Sequence, residues 1–121
     1  MIVERIRARE TVPVFVDRTV SPSYTVDIAR ATRAILDHQP PPGLYHCVNS
    51  GAATWAEIAA EAARAMDLPL VITPITLDTV PLKAPRPKYS ALSNAKLRAA
   101  GMAMPTWQDA LARHLSTAVD V

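Results

Sequence analysis

Val16-Asp17-Arg18-Thr19-Val20-Ser21-Pro22-Ser23-Tyr24-Thr25-Val26-Asp27-Ile28-Ala29 is the stretch of sequence that decides the fold, because it passes from a strand through a short loop into a helix. Valine at every second position predicts a strand over 11–16. Ser21-Pro22-Ser23 interrupts any regular ladder, so we expect a loop over 17–23. Thr25 is expected to cap the helix, which continues to about His38.

The predicted helix after this loop is amphipathic. Spacings of three and four residues place its apolar positions on one face, which is expected to be buried. Those positions are Ile28, Ala31, Thr32 and Ile35. The solvent side is expected to carry Asp27, Arg30, Arg33 and Asp37. Three prolines and Gly43 then stop the helix.

Strands and helices continue to alternate along the rest of the chain. A short helix is predicted near Met1, with Ile2, Val3 and Ile6 on its inner side. Leu44–Val48 is predicted as a short buried strand, and 49–53 as a turn. Thr54 and Glu57 form a capping box that opens a helix through Met66. Its inward positions are expected to be Trp55, Ile58, Ala59, Ala62 and Met66.

The last part of the chain contains one more predicted strand and two more helices. The strand covers 70–75 and is followed by an irregular, proline-rich segment over 76–90. Ser93 is expected to cap a short helix that Gly101 ends. Thr106 with Asp109 is expected to cap the last helix, from Trp107 to about Ala118.

The resulting order, α-β-α-β-α-β-loop-α-α, predicts a single α/β domain over residues 1–121. It is a small, helix-rich lobe with about three short strands. Strands separated by helices favour parallel pairing with right-handed crossovers. So few strands leave an exposed edge and face, which we expect a larger protein to cover.

Composition excludes several classes of protein. Half of the 121 residues are hydrophobic, which excludes a disordered chain. Thirteen basic residues against eleven acidic ones, a net charge of +2, are not typical of a dedicated nucleic-acid-binding protein. No apolar run approaches the roughly 18 residues of a membrane span. The single Cys47 fits a reducing compartment, and we expect a cytoplasmic protein.

Ala84-Pro85-Arg86-Pro87-Lys88-Tyr89-Ser90-Ala91-Leu92 is the clearest candidate for a binding segment. Its prolines fix φ and disfavour helix, so Arg86 is presented on a stiff, extended loop. A planar guanidinium held in this way is suited to bidentate capture of a phosphate. The alternative is a surface connection whose arginine points into solvent. The only basic concentration, Lys83, Arg86, Lys88, Lys96 and Arg98, favours a phosphate-facing cleft.

Metal binding and nucleophilic catalysis are not indicated. The histidines and Cys47 lack metal-ligand spacing. His46 and Cys47 are neighbours on a predicted strand, so they would point to opposite faces and could not form a nucleophile–base pair. Cys47 is expected to be a small buried hydrophobic residue, and Trp55 and Trp107 to pack in the core or at an interface.

Five motifs in order resemble the substrate-binding part of dTDP-4-dehydrorhamnose reductase-like proteins, among the extended short-chain dehydrogenases and the related epimerases and dehydratases. Members carry an Asp-Gln-x-Gly-x-Pro-Thr-Tyr-like loop before Asp-Leu-Ala, a Gly-x-Tyr-His strand, a Ser-Gly-x-x-(Ser/Thr)-Trp turn, an Arg-Pro-x-x-Ser-x-Leu loop with a Lys-Leu helix, and a Pro-x-Trp-x-x-Ala-Leu helix. The matching stretches here are 17–29, Gly43–His46, Ser50–Trp55, Arg86–Leu97 and Pro105–Leu111.

The resemblance implies two walls of a site for a nucleotide-diphosphate sugar. Arg86 would bind the diphosphate, with Tyr89 and Ser90 as hydroxyl partners; the alternatives are that Ser90 caps local backbone and that Tyr89 is a packing residue. The loop from Asp17 to Tyr24 would supply the other wall, with Arg18, Ser21, Ser23 and Tyr24 as candidate contacts. This loop departs from the family pattern, since Arg18 replaces the usual Gln and Val20 the usual Gly. Val20 does not easily adopt positive φ, so a different loop path is expected.

The same resemblance implies NADPH on a separate Rossmann domain, which also carries a Ser/Thr and a Tyr-x-x-x-Lys catalytic group. This chain has three glycines, Gly43, Gly51 and Gly101, and they form no glycine-rich phosphate turn. None of its tyrosines has a lysine four residues on. We therefore expect no catalytic residue, no cofactor-binding residue and no hydride transfer in this chain alone.

Three functions remain open. The first is the substrate-binding lobe of a reductase that reduces a 4-keto nucleotide sugar for deoxysugar synthesis. The second is a non-catalytic interaction module, as in the regulatory subunit of methionine adenosyltransferase, which resembles these reductases. Such a lobe would expose apolar surface to a Rossmann-domain partner or to a second copy of itself. The third is the corresponding lobe of an epimerase or dehydratase.

Overall fold

The computed structural model describes residues 1–117, which form the α/β arrangement predicted from the sequence. The helices are α1 (Ile2–Arg7), α2 (Thr25–His38), α3 (Trp55–Met66), α4 (Ala95–Ala99) and α5 (Trp107–Thr117), with a 3₁₀ turn at Leu77–Thr79. The strands are β1 (Val12–Phe15), β2 (Thr19–Val20), β3 (Ala53–Thr54) and β4 (Ile72–Ile75). The predicted helix end at Ala118 lies outside the described residues.

Two small sheets organise the chain. β1 and β4 pair in parallel, from Val12 opposite Ile72 to Phe15 opposite Ile75, which confirms the two predicted strands and their direction. β2 and β3 pair antiparallel, with Thr19 opposite Thr54. This second ladder lies where a loop and a turn were predicted. Two residues per strand are too few to produce a recognisable alternation in the sequence.

The predicted strand Leu44–Val48 is wrong. This segment is irregular, and Leu44 is 75% exposed. The Tyr45 hydroxyl donates to the carbonyl of Pro41 at 2.6 Å, while Tyr45 and half-buried Cys47 pack beside the second core cluster. This short apolar run therefore belongs to an irregular segment that packs on the core. Periodicity alone does not distinguish such a segment from a buried strand.

The helix starts are only partly as predicted. The capping box of α3 is confirmed, because the Thr54 amide donates to the Glu57 carboxylate at 2.7 Å and the Glu57 amide donates to Thr54 Oγ1 at 3.2 Å. Thr106 Oγ1 likewise accepts the Asp109 amide of α5 at 3.2 Å. The prediction for Thr25 is wrong, since the N-cap is Tyr24 and no side chain caps α2.

The short helix α4 also starts one residue later than predicted. Its N-cap is Asn94, although the Ser93 hydroxyl still accepts the Ala95 amide at 3.3 Å. Gly101 follows the helix at a φ of +96°, a left-handed conformation that costs glycine little. The predicted stop at this glycine is therefore confirmed.

Two hydrophobic clusters form the core. The first lies between the β1–β4 sheet and helices α1, α3 and α5, where the small side chains of α3 allow close packing. It comprises Ile6, Val12, Val14, Ala59, Ala62, Ala63 and Leu115, with Trp55 and Met66 packed against it. The second lies under α2 and α4 and comprises Ala31, Leu97, Met102 and Met104.

Asp27 is buried, whereas the sequence pattern predicted it on the solvent side of α2. It is 3% exposed, and Arg113 of α5 donates to both of its carboxylate oxygens at 2.9 and 2.6 Å. The opposite correction applies to Thr32, which is exposed and donates to the carbonyl of Ile28. A helical pattern places a charged residue on the solvent side, because charged residues are rarely buried without a partner. The partner of Asp27 is Arg113, 86 residues away, and the helical pattern does not include it.

The β1–β4 sheet leaves apolar side chains in solvent and carries a proline at each free edge. Val71 is 62% exposed, and Val16 and Ile72 are each 38% exposed. The amides of Val12 and Val16 donate to the carbonyls of Val71 and Ile75, so the intervening Pro13 lies where an amide would face outward. Pro74 holds the corresponding position on β4. The prolines therefore remove donors from both free edges, as edge strands commonly do.

No helix within residues 1–117 is long and apolar enough to cross a membrane.

Candidate functional site

The two segments in which the sequence placed the site are joined by a backbone ladder. We call them the first loop (17–24) and the second loop (86–92). The Thr19 amide donates to the Lys88 carbonyl at 2.7 Å, and the Ser90 amide donates to the Thr19 carbonyl at 2.9 Å. Thr19 and Tyr89 thereby form a parallel bridge. Segments 71 residues apart in the sequence are thus adjacent in the structure.

Ser21 and Ser90 use their hydroxyl groups to hold the two loops together. Ser21 Oγ accepts a hydrogen bond from the Leu92 amide at 2.8 Å and donates one to the Leu92 carbonyl at 3.4 Å. Ser90 Oγ donates to the Thr19 carbonyl at 3.3 Å. Both hydroxyls are therefore committed to loop structure in this arrangement, although each oxygen retains capacity to accept a further hydrogen bond.

Asn49 fixes the end of the first loop. Its side-chain oxygen accepts the Tyr24 amide at 2.8 Å, and its own amide donates to Ser23 Oγ at 3.3 Å. Its side-chain nitrogen donates to Asp27 Oδ2 at 2.8 Å and to the Pro105 carbonyl at 3.1 Å. With no exposed surface, Asn49 ties the loop to α2 and to the start of α5.

The ion pair between Asp27 and Arg113, which Asn49 contacts, shifts the pKa of both of its members. Hydrogen bonds from Arg113 are the main reason that the pKa of Asp27 is lowered, and Asn49 adds to this effect against the cost of burial. The pKa of Arg113 is raised by the same bonds and by a further bond to Asp109. The Tyr24 ring lies against this pair, with Arg113 over its face and the His114 ring at its edge. Tyr24 therefore faces α5.

Arg18 lies over the Phe15 ring, with its guanidinium carbon 5.6 Å from the ring centroid. Its Nε is buried and has no hydrogen-bond partner among residues 1–117, and the same holds for Trp55 Nε1. The two residues flank the Thr19–Thr54 pair of the β2–β3 ladder. Buried donors without acceptors are rare in folded proteins, so the Arg18 and Trp55 nitrogens are unusual polar atoms of this structure.

Val20, which replaces a family glycine, takes part in the β2–β3 ladder opposite Ala53. It does not have positive φ. A β-branched residue is well suited to such a position.

Arg86 projects into an open cleft of about 310 Å³ beside the 3₁₀ turn. It is exposed, and no ion pair or hydrogen bond involves its side chain within the described part of the chain. Lys88 also lines this cleft, where its ammonium group lies 3.6 Å from Asp17 and 3.8 Å from Asp78. The positive charge of Lys88 is therefore largely offset by its acidic neighbours.

Tyr89 faces a different cleft, although it lies only three residues after Arg86. This cleft has a volume of about 460 Å³ and is bounded by the turn at 50–52, by the segment 89–94 and by Arg98. The predicted basic concentration is therefore divided, since Lys96 lies over the Tyr45 ring at 4.7 Å instead. Arg98 belongs to the basic concentration noted in the sequence, whereas no sequence signal pointed to Ser50, Gly51 or Asn94 as site residues.

Within residues 1–117 no group of three or more His, Cys, Asp or Glu side chains is arranged to hold a metal ion. His46 is exposed, and burial raises the pKa of the Cys47 thiol. A protonated thiol is a poor nucleophile and a poor metal ligand.

The fold is that of the substrate-binding part of dTDP-4-dehydrorhamnose reductases of known structure. A dTDP-4-dehydrorhamnose reductase ortholog from Clostridium acetobutylicum ATCC 824 superposes with a TM-score of 0.85 at 27% identity, over 96% of this chain and 41% of that one. The dTDP-4-dehydrorhamnose reductase of Bacillus anthracis str. Ames in complex with NADP gives 0.82 at 27% identity, over 93% and 40%.

The family model of the RmlD substrate binding domain matches residues 1–119, and the chain belongs to this family. The spore coat polysaccharide biosynthesis protein SpsK of Bacillus subtilis (strain 168) is 37% identical over 99 residues, which cover 82% of this chain and 34% of that protein. The dTDP-4-dehydrorhamnose reductase of Streptomyces griseus is 34% identical over 114 residues, covering 88% and 38%. The chain thus spans little more than a third of the length of these relatives.

Proposed function

We propose that this chain forms one wall of the binding site for a nucleotide-diphosphate sugar in a reductase similar to dTDP-4-dehydrorhamnose reductase. The observation that carries the proposal is the ladder between the first and second loops. Thr19 accepts from Ser90 and donates to Lys88, so the two segments that the family resemblance assigns to the substrate become one surface. The relatives named as dTDP-sugar reductases support this substrate class.

Arg86 is the proposed partner of the diphosphate. It is exposed, it follows Pro85 and precedes Pro87, and its guanidinium is available in the described structure. A charge-assisted bidentate contact to phosphate is among the stronger single contacts that a surface side chain makes. Arg18 is the second proposed cation, because it lies on the first loop and no ion pair or hydrogen bond engages its guanidinium among residues 1–117.

The proposed role of this chain is to bind and orient the sugar, without transferring a hydride. The residues present do not fit a dinucleotide cofactor. Gly51 packs against Trp107, Gly101 follows a helix, and Gly43 follows a proline run, so no glycine joins a strand to a helix as a phosphate turn would. NADPH would therefore be held by a separate Rossmann domain of a complete reductase.

Calorimetric titration with dTDP, combined with a nicotinamide oxidation assay, tests this function. We expect saturable binding of dTDP by the 121-residue chain and no oxidation of NADPH when dTDP-4-dehydrorhamnose is added. Arg86→Ala should weaken dTDP binding about tenfold, as expected for loss of an exposed charge-assisted contact. The control Arg33→Ala, in an exposed helical pair with Asp37, should bind as the wild type does. Steady NADPH turnover by pure protein would refute the proposal.

The uncovered face of the β1–β4 sheet favours a second candidate function, that of a non-catalytic interaction module. Val71 exposes apolar surface on that side, where Phe15 and Ile75 are half-buried, whereas Val16 and Ile72 lie on the side of the buried Val12 and Val14. Because Pro13 and Pro74 block strand addition at both edges, a partner would pack on the face of the sheet, whether it is a Rossmann domain or a second copy. Sedimentation over a concentration series checks the second case: a mass that stays monomeric throughout would argue against self-association.

A further inference from the structure

The cleft at Tyr89 has the charge and the shape of an anion site that the family resemblance did not assign. It shares no lining residue with the cleft that contains Arg86. Its principal lining residues are Ser50, Gly51, Tyr89, Ser93, Asn94 and Arg98. Arg98 is the one charged residue that lines this cleft, and no carboxylate lines it. Its local charge is therefore positive.

The floor of this cleft is rigidly built. Asn94 Nδ2 donates to the Val48 carbonyl and to Ser50 Oγ, both at 2.9 Å. Ser50 Oγ in turn donates to the Met104 carbonyl at 2.9 Å, and the Ser50 amide donates to the Pro105 carbonyl at 2.9 Å. Three segments of the chain thus hold the floor in one geometry. Such pre-organisation lowers the ordering cost when a ligand binds.

Gly51 fixes the turn beside this floor. Gly51 has a φ of +100°, and a Cβ built on it would lie 2.9 Å from Cδ1 of Trp107. Any other residue would therefore be strained here and would collide with a buried ring. The glycine is therefore required by the packing of this turn on Trp107.

The rim of the cleft carries donors that the protein itself does not use. Within residues 1–117, no ion pair or side-chain hydrogen bond engages the Arg98 guanidinium or the Tyr89 hydroxyl. Ser93 Oγ accepts the Ala95 amide, so its proton remains available for donation. Tyr89 is 70% exposed, which offers a ring for stacking against a sugar or a base.

Charge makes this cleft a second place for a phosphate group, beside the Arg86 cleft. In the Arg86 cleft, Asp78 is one of the walls and Lys88 is shared between Asp17 and Asp78. A phosphate placed there is attracted by Arg86 but repelled by Asp78. In the Tyr89 cleft the attraction of Arg98 is not opposed by any lining carboxylate.

We infer that Arg98 binds a phosphate group of the nucleotide sugar, with the Tyr89 ring as the platform for the adjoining ring of the ligand. The ligand would thus lie across the second loop, between Arg86 on one side and Arg98 on the other. This inference rests on the proposed function, because it takes a nucleotide-diphosphate sugar as the ligand. It gives a specific role to Arg98, which the sequence placed only within a basic concentration, and a stacking role to Tyr89.

Affinity for dTDP in matched arginine variants tests the inference. We expect Arg98→Ala to weaken dTDP binding about tenfold, and Arg98→Lys to recover part of the loss because the charge remains. Tyr89→Ala should also weaken binding, whereas Tyr89→Phe should retain the stacking contribution. These side chains are exposed, so thermal unfolding should be unchanged and will confirm that each variant is folded.

The outcomes separate this inference from the proposed function. Normal dTDP affinity in Arg98→Ala, together with weak binding in Arg86→Ala, would overturn the role of Arg98 and leave the proposed function intact. Weak binding in both variants supports a ligand that spans the loop. Absence of dTDP binding by the wild-type chain would overturn both proposals.

Discussion

Asp27 and Arg113 form the buried ion pair on which the first loop rests, and its removal gives the clearest prediction for a single residue. Arg113→Ala leaves a carboxylate that is 3% exposed without its main partner. Breaking a buried pair in this way costs about 3 kcal/mol of unfolding free energy. Urea denaturation measures the loss. Arg33→Ala removes an exposed helical pair and should cost no more than about 0.5 kcal/mol, so equal losses would contradict the assigned role.

The same pair predicts how stability depends on pH. The pKa of Asp27 is lower in the folded protein, chiefly because of the Arg113 hydrogen bonds. Unfolding in acid is therefore accompanied by proton uptake at this carboxylate. Its stabilising contribution is complete above the unfolded pKa of about 3.9 and is lost as the pH falls through the lower folded value. Denaturation curves across this acidic range should show a weaker pH dependence for Asp27→Asn than for the wild type.

At the scale of elements, the starts of α2 and α3 provide a matched test of helix capping, because a threonine side chain caps α3 but not α2. Thr54 accepts the Glu57 amide at the start of α3, whereas Thr25 caps nothing at the start of α2. Thr54→Ala should therefore cost about 1 kcal/mol of stability, and Thr25→Ala only a few tenths. Thermal or urea unfolding of the two variants decides. A larger loss for Thr25→Ala would show that the Thr25 side chain caps α2 after all.

The elements that the sequence predicted correctly are those with a long pattern or a local signal. Alternating valines identified β1, and the capping box with its alanine-rich face identified α3. The β2–β3 ladder was missed because two residues cannot show a period. The Leu44–Val48 segment was wrongly predicted as a strand because its sequence is mostly apolar. In the structure, Tyr45 and Cys47 pack on the second core cluster without strand pairing.

The candidate site shows the same limit for contacts between distant residues. The sequence motifs selected both loops, but nothing in them indicated that Thr19 would pair with Ser90 or that Asp27 would meet Arg113. Nor did they indicate that Arg86 and Tyr89 would face separate clefts, since that depends on how the 3₁₀ turn and α4 pack on each side. Long-range geometry of this kind follows from the tertiary fold alone.

At the scale of the whole molecule, the lobe has two distinct surfaces, one formed and supported by hydrogen-bonded loops, which we call the built surface, and one an uncovered sheet face, which we call the open surface. The joined loops, supported by Asn49 and the Asp27–Arg113 pair, form the built surface. The β1–β4 face, with Val71 62% exposed, is the open one. These surfaces suit different roles, a ligand for the first and a protein for the second.

Mapping of dTDP onto the chain by ¹H–¹⁵N NMR tests the central claim most directly. The two joined loops should contain the backbone amides whose signals shift on saturation, together with those of Ser93 and Arg98 in the adjoining cleft. Amides of α1 and of the β1–β4 face should be unaffected and serve as the internal control. Shifts confined to that sheet face, or no saturable shift at all, would contradict the assignment of the joined loops as the wall of a nucleotide-sugar site.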